Sequence, residues 1–391
     1  MGNQLTCLWK DRDATRQFTT AVSLHGHTNR SKESLYFISD FASERPLLRW
    51  ALARLDRAAQ REGAIKTDFW KAYWTPPLAP HEAFTVERKQ IEDGMGMRSL
   101  ISLTDHDNIQ APLLLRVIPE ARRIPVSLEW SVPFAGTTFH LGVHNLPTAE
   151  ASIWLERMAA YTAQPRERQL AELLAALGSV PQVLVVFNHP LWDLPNIGRL
   201  AHRTAMRDLL EATNEFLHAF ELGGLRGWKE NYEVIELSRA YRRPFISGGD
   251  RHGCEASGLL NLTNAASFSE FVDEVRHGHS HVLAMPQYAE CTTLRLYHTL
   301  LDVIRYYPDH PIGARHWDER VYHPDSQGVS RPLSMLWERP PRFIRGIFSG
   351  LRLGEAGPVR RTLELALNRG SQVPQIESEV GRKISGQEMS L

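Results

Sequence analysis

Apolar residues along this chain fall into short runs separated by stretches with helical spacing. Runs at 19–24 (TTAVSL), 98–104 (RSLISLT), 125–130 (PVSLEW), 137–143 (TTFHLGV), 183–188 (VLVVFN), 218–222 (HAFEL) and 244–248 (PFISG) read as strands. Helical spacing is found at 47–63, which Gly63 stops, and at 111–122, 150–161, 166–177, 199–216, 229–241 and 268–277. Strands alternating with helices predict an α/β protein with a parallel sheet and crossover helices. The runs 125–130 and 137–143, joined through Pro133-Phe134-Ala135-Gly136, predict a hairpin that interrupts the repeat.

Two stretches depart from this pattern. Segment 64–97 holds Trp70, Trp74, Pro76, Pro77 and Pro80 and reads as an insertion, placed as a lid over the ends of the strands. Beyond Met285 the alternation weakens: 292–306 has helical spacing, 307–334 is loop-like, and 338–352 is basic and partly apolar. The polar residues closing the chain, roughly the last twenty, predict disorder. The expected organisation is an N-terminal segment 1–18, a body 19–285 and an extension 286–391.

Acid and histidine motifs close most of the apolar runs. They are Leu24-His25-Gly26-His27-Thr28, Thr104-Asp105-His106-Asp107, Glu129 with His140, Asn188-His189-Pro190 and Gly248-Gly249-Asp250-Arg251-His252. Imidazoles and carboxylates bind borderline divalent metals when a fold brings them together. One such motif means little; five, each at or just past a strand, point to one site on the rim of a parallel barrel or sheet. At a strand's period of two, His25 and His27 face the same way, as do Asp250 and His252.

Each motif also has a plainer reading. Asp107 fits a helix cap before Asn108-Ile109, and this is preferred. Asp105 is read as an acid holding an imidazole in place, with a weaker reading as general base. Glu129 lies in a largely apolar strand, where a carboxylate is costly unless paired or bound to metal, and it could bridge two ions. His144 competes with His140 and ranks second. His277, His279 and His281 follow a helix and read as a loop entering a last strand; His298, His310, His316 and His323 have no companion pattern. Among the basic residues Arg251 stands out as a phosphate-binding candidate because it lies between two ligand candidates, ahead of Arg226 and Lys229.

Composition narrows the context. The chain has 391 residues, 42% of them hydrophobic, and a formal net charge of zero. Non-specific capture of nucleic acid or of an anionic membrane is therefore not favoured. Cys7, Cys254 and Cys291 are too few and too scattered for a disulfide framework or a CxxC site, which suits a reducing, cytoplasmic setting. The first residues lack the apolar core of a secretory signal, and no apolar run is long enough to span a bilayer. Met1 to Thr6 formally fit a myristoylation pattern, read here as a chance match. Oligomeric state leaves no mark on the sequence.

The order HGHT, TDHD, a strand Glu with FHLG, NHP and SGGDRHG resembles that of the PHP family, named for polymerase and histidinol phosphatase, over roughly residues 19 to 285. The resemblance implies a distorted seven-stranded (β/α) barrel, similar to a TIM barrel, with a site at the C-terminal strand ends. It implies two or three divalent ions, variously zinc, manganese or iron, and hydrolysis of phosphate esters. Carried over, one ion would use His25, His27, Glu129 and Asp250; a second Glu129, His140 and His189; a third His106 and His252. Where the family has an Asp or His shortly after the first motif this chain has Lys32, so Glu33 becomes the substitute ligand.

The leading expectation is a metal-dependent phosphoesterase acting through an activated water on a small phosphorylated molecule, with Asp105 and Arg251 assisting. One alternative keeps the metals and hydrolyses an amide or cyclic imide. Another is a non-catalytic PHP-like binding or structural module.

Overall fold

The computed structural model describes residues 3–35, 68–337 and 342–354, with isolated positions at 50, 53, 54, 57, 357 and 358. The helix expected over 47–63 and the closing residues expected to be disordered lie outside the described residues, apart from those isolated positions.

Among the described residues three sheets carry the fold. The first has the order β1 (Gln4–Cys7), β12 (His281–Ala284), β11 (Leu259–Thr263), β2 (Thr20–Ser23), β5 (Arg98–Ile101). The second has the order β10 (Phe245–Gly248), β9 (Ala219–Gly223), β8 (Leu184–Asn188), β7 (Thr137–Leu146), β6 (Val126–Phe134). The third and smallest has the order β14 (Ser330–Pro332), β13 (Val321–Pro324), β4 (Tyr73–Trp74), β3 (Glu33–Ser34).

This architecture corrects the expected seven-stranded barrel. The protein is mixed α/β, and none of the sheets among the described residues is closed. In the first sheet β11 runs antiparallel to both neighbours, while the outer pairs are parallel. In the second, β10, β9 and β8 are parallel, and β7 and β6 form the predicted antiparallel hairpin. Polar side chains occupy the seams where a ladder would otherwise continue. Asn261 of β11 accepts the Ser247 backbone N–H and donates to the Ser247 hydroxyl. On the other side, between β5 and β6, Ser102 Oγ donates to Ser127 Oγ, and one isolated bridge, His106 with Glu129, stands in place of a ladder.

Burial explains most of the helices. Glu167–Gly178 buries Leu170, Leu174 and Leu177, one stripe at helical spacing. Phe268–Arg276 starts on Ser267, whose hydroxyl accepts the Glu270 N–H, and buries Phe268, Phe271, Val272 and Val275. The insertion holds a helix its prolines concealed, Pro80–Met95. Pro80 occupies the first turn, where a missing N–H costs nothing, and Gly96 ends the helix at φ 67°. Its inner face carries Ala83, Phe84, Glu87 and Ile91. The segments before residue 19 and after residue 285 are built into the sheets through β1, β13 and β14. No helix among the described residues is long and apolar enough to cross a membrane.

A candidate metal centre

The ligand candidates from all five motifs converge where ends of the two five-stranded sheets meet. Glu129 is central, and its two carboxylate oxygens face different partners. Oε2 lies 3.1 Å from His25 Nε2, 3.3 Å from His27 Nε2 and 3.4 Å from His106 Nε2. Oε1 lies 3.0 Å from His189 Nε2 and 3.4 Å from His140 Nδ1. Asn188 Nδ2 donates to Oε1 at 2.9 Å and sets the plane of the carboxylate.

Glu33 enters the cluster from β3. Its Oε2 is 3.0 Å from His252 Nε2 and 3.3 Å from His106 Nε2, and its Oε1 is 3.3 Å from His27 Nδ1. Lys32, one residue earlier, turns away and lies over the Tyr73 ring. Asp250 Oδ1 lies 3.7 Å from both His25 Nε2 and His27 Nε2.

Among the described residues, four groups have ligating atoms close enough to share an ion: His25, His27 and Glu129; His25, His189 and Asp250; His27, Glu33 and His252; His106, Glu129 and His140. The grouping differs from that implied by the resemblance, since His106 sits with Glu129 and His140, and His189 with His25 and Asp250.

The local backbone explains why these side chains can meet. His25 and His27 lie beyond β2 rather than on it, and the expected period-two geometry is replaced by a turn with His25 at φ 59°. His189 (φ 26°) and Asp250 (φ 48°) also occupy left-handed backbone just past strand ends. Non-glycine residues there carry strain that the surrounding structure must hold. β7 runs against its neighbour β8, so it contributes from its first half. His140 pairs across from Asn188, whereas His144 pairs across from Leu184, deeper in the sheet. His144 there hydrogen-bonds Ser102, and burial pushes its pKa down to about 3.

The donor set fits divalent ions. Metal bonds of about 2.0–2.2 Å in a tetrahedral shell separate neighbouring ligand atoms by about 3.3–3.6 Å, close to the separations observed. Among the described residues, buried Glu129 Oε2, Glu33 Oε1 and His140 Nδ1 have no hydrogen-bond partner, a costly arrangement unless a cation joins them.

The electrostatics agree. Burial works to raise the pKa of Glu129, but His25, His106 and His140 outweigh it and hold the carboxyl well below its usual range. The same contest leaves Glu33 well below its usual range, through His252, His106 and His27. Burial lowers His27 to about 4, whereas at His106 Glu33 and Glu129 overcome burial and lift the ring to about 10. Carboxylates held anionic among imidazoles are poised to exchange protons for a metal.

Two expected assistants are placed differently. Asp105 holds no imidazole; its oxygens accept the Thr28 N–H at 2.6 Å and the Thr28 hydroxyl at 2.8 Å, which fixes the turn carrying His27. Burial raises its pKa to about 6. Arg251 is 4% exposed. Its Nε is 3.0 Å from Glu87, and its other nitrogens donate to the Gly253 and His27 carbonyls, tying the first and last motifs together.

Two residues at the site, Glu221 and Glu87, were not singled out from sequence as parts of it, and a third, Arg226, was ranked behind Arg251. Glu221 of β9 lies 2.6 Å from His25 Nδ1 and leaves Nε2 facing Glu129. Its signal, an acid inside the apolar run Phe220-Glu221-Leu222, was the one that marked Glu129. Glu87, the partner of Arg251, lies on the concealed helix. Arg226 packs over Trp192 at 4.2 Å, with Nη2 3.6 Å from Asp250 Oδ2. Trp192 also packs edge-on against His189, and Trp74 lies against His252, so two indoles flank the cluster. His281 hydrogen-bonds Thr6 and His277 lies beside Asp273, both outside the ligand groups.

No protein-family model matches the chain, and neither does any curated protein. Among solved structures, one similar chain is an amidohydrolase from Chromobacterium violaceum with bound sulfate and no metal. It is 16% identical, with a TM-score of 0.33, over 45% of this chain and 83% of that one. Another, from Bifidobacterium adolescentis, is named as a candidate metal-dependent phosphoesterase. It is 13% identical, with a TM-score of 0.31, over 51% of this chain and 92% of that one.

Proposed function

We propose that the protein is a metal-dependent hydrolase of phosphate esters related to the PHP family. The observation that carries this reading is Glu129, one buried carboxylate whose two oxygens each face a separate set of imidazoles, the arrangement of a bridging ligand. Divalent ions, if bound by these residues, would supply an activated water and electrostatic stabilisation of a phosphoryl group. His25, His27, Glu33, His106, Glu129, His140, His189, Asp250 and His252 are the proposed ligands.

The protein's own groups do the rest. Glu221 accepts the Nδ1 proton of His25 and so keeps Nε2 as a lone-pair donor. Asn188 fixes the Glu129 carboxylate, and Asp105, through Thr28, fixes His27. An anionic substrate also needs a donor that is not a ligand, and Arg226 fits this better than Arg251. The Arg251 guanidinium is bound to Glu87 and two carbonyls, whereas the Arg226 guanidinium lies over the Trp192 ring with its nearest carboxylates at 3.6 and 3.7 Å. A planar cation prepositioned beside the ligands favours a phosphoryl group over a neutral amide.

The test combines metal analysis by mass spectrometry on purified protein with phosphate release from an aryl phosphate, before and after chelation. The expected result is more than one bound transition-metal ion and turnover that the chelator abolishes and metal restores. A protein that holds no metal after reloading would overturn the reading. Metal-bound protein that opens a cyclic imide and leaves phosphate esters intact would replace the phosphoesterase half of it.

A further inference from the structure

We infer that the segment between Asp302 and Pro332 is a working part of the metal centre, fixing Glu33 and His252 so that the group His27, Glu33 and His252 holds its ion. This rests on the metal reading above and extends it to a part of the chain remote in sequence.

Two sets of contacts carry the inference. The first runs through the small sheet. Glu33 is one residue of a two-residue strand, and its ladder partner is Trp74 of β4. A strand pair this short cannot hold itself in water. What holds it is β13, where Trp74 pairs with Val321 and Tyr73 with Tyr322. The Tyr73 and Tyr322 rings stack at 4.9 Å with only 7° between their planes, and Thr75 N–H donates to the Arg320 carbonyl at 2.9 Å. The Asp68 N–H donates to His323 Nε2 at 2.9 Å.

The second set grips the loop that follows His252. Asp302 Oδ2 accepts the Cys254 N–H at 2.7 Å, and the Tyr307 hydroxyl lies 3.1 Å from Cys254 Sγ. Tyr307 in turn donates to the Asp302 carbonyl. Behind both sets lies Arg320, 1% exposed. Its guanidinium donates to the carbonyls of Val303, Arg305, Ala314 and Arg315, which makes one body of the stretch from Asp302 to β13. Glu33 and His252, whose Oε2 and Nε2 are 3.0 Å apart, are therefore each held by the same distant segment. The groups His106, Glu129 and His140, and His25, His189 and Asp250, take their ligands from or just past strands of the two five-stranded sheets and not from this clasp.

Tyr322→Ala, with Tyr322→Phe as control, tests this in the full-length protein. Metal content and the affinity of each ion are read by chelator competition, and order at 32–35 and 72–75 by hydrogen exchange. Removing the ring is expected to speed exchange there and to weaken one ion at least tenfold, with the others at wild-type affinity; the phenylalanine variant keeps the stack and the ion. Faster exchange with every ion retained at wild-type affinity would overturn the inference. So would a loss of all ions in step with the unfolded fraction, the signature of a merely structural strand. Should Tyr322→Ala not fold, Asp302→Ala against Asp302→Asn asks the same question at the His252 loop, with the same expected and overturning results. A wild-type protein that binds no ion at all would overturn the metal reading itself.

Discussion

Glu221 Oε2 lies 2.6 Å from Nδ1 of His25, and both side chains are almost wholly buried. Burial lowers the pKa of His25, yet Glu129 and Glu221 together raise it well above its ordinary value. Glu221 thus decides which nitrogen of His25 faces the centre. Carboxylates that orient a ligating imidazole are typically worth about 10–100-fold in metal affinity. Glu221→Ala is expected to lose that much, with Glu221→Gln closer to wild type because its amide oxygen still accepts the proton. Competition against a coloured chelator measures it, and unchanged affinity in Glu221→Ala would remove the orienting role.

Gly248, at the end of β10, makes room for the same carboxylate. A methyl group at 248 would overlap the Glu221 side chain. Gly248→Ala should therefore displace Glu221 and reproduce its loss of metal affinity. In a Glu221→Ala background the added methyl enters vacated space, so the double variant should bind metal no worse than Glu221→Ala alone. Strictly additive losses would show that Gly248 acts elsewhere, since additivity marks independent sites.

Arg226 is expected to act on substrate rather than on metal. Gln at this position should leave metal content unchanged and lower kcat/KM for a phosphate ester by about 10²–10³, the usual cost of removing one donor to developing charge. Lys should recover part of the loss, as a point charge without the planar fork. Trp192→Leu, which removes the plate beneath the guanidinium, should raise KM more than it lowers kcat. Loss of metal in Arg226→Gln would instead make Arg226 a support for Asp250.

Much of this site was legible from residue order because its chemistry is written in local motifs. His25, His27, His106, Glu129, His140, His189, Asp250 and His252 each close or interrupt an apolar run, and the structure brings them together. Glu33 was reached through the mismatch at Lys32. Sheet order was not legible, because alternation reports a strand and not its neighbour: nothing in Leu259–Thr263 says that it inserts antiparallel between β12 and β2. The small sheet left no periodicity, since β3 and β4 have two residues each. The helix Pro80–Met95 was hidden by prolines that mark its start. Arg251 was ranked by its neighbours in sequence, whereas its role follows from Glu87, far away in the chain.

Far from the centre, His218 sets an acid limit on stability. Its Nδ1 accepts the Val185 backbone N–H at 2.8 Å, so the ring must stay neutral on that side to close the edge of β8. Burial, with Arg276 and Arg243 nearby, lowers its pKa to about 3. An unfolded chain takes up this proton near pH 6.5, whereas the folded protein does not until about pH 3. Between those values the unfolded state binds more protons, so stability falls as the medium is acidified. One such group contributes a slope of at most about 1.4 kcal/mol per pH unit, full in the middle of that window and absent above neutrality. His218→Gln keeps an acceptor for Val185 without a titrating ring. It should match wild type at pH 7.5 to within about 1 kcal/mol and flatten the loss between pH 6 and pH 4. Urea denaturation across that range measures the slope, and parallel curves for the two proteins would show that His218 is not the group responsible.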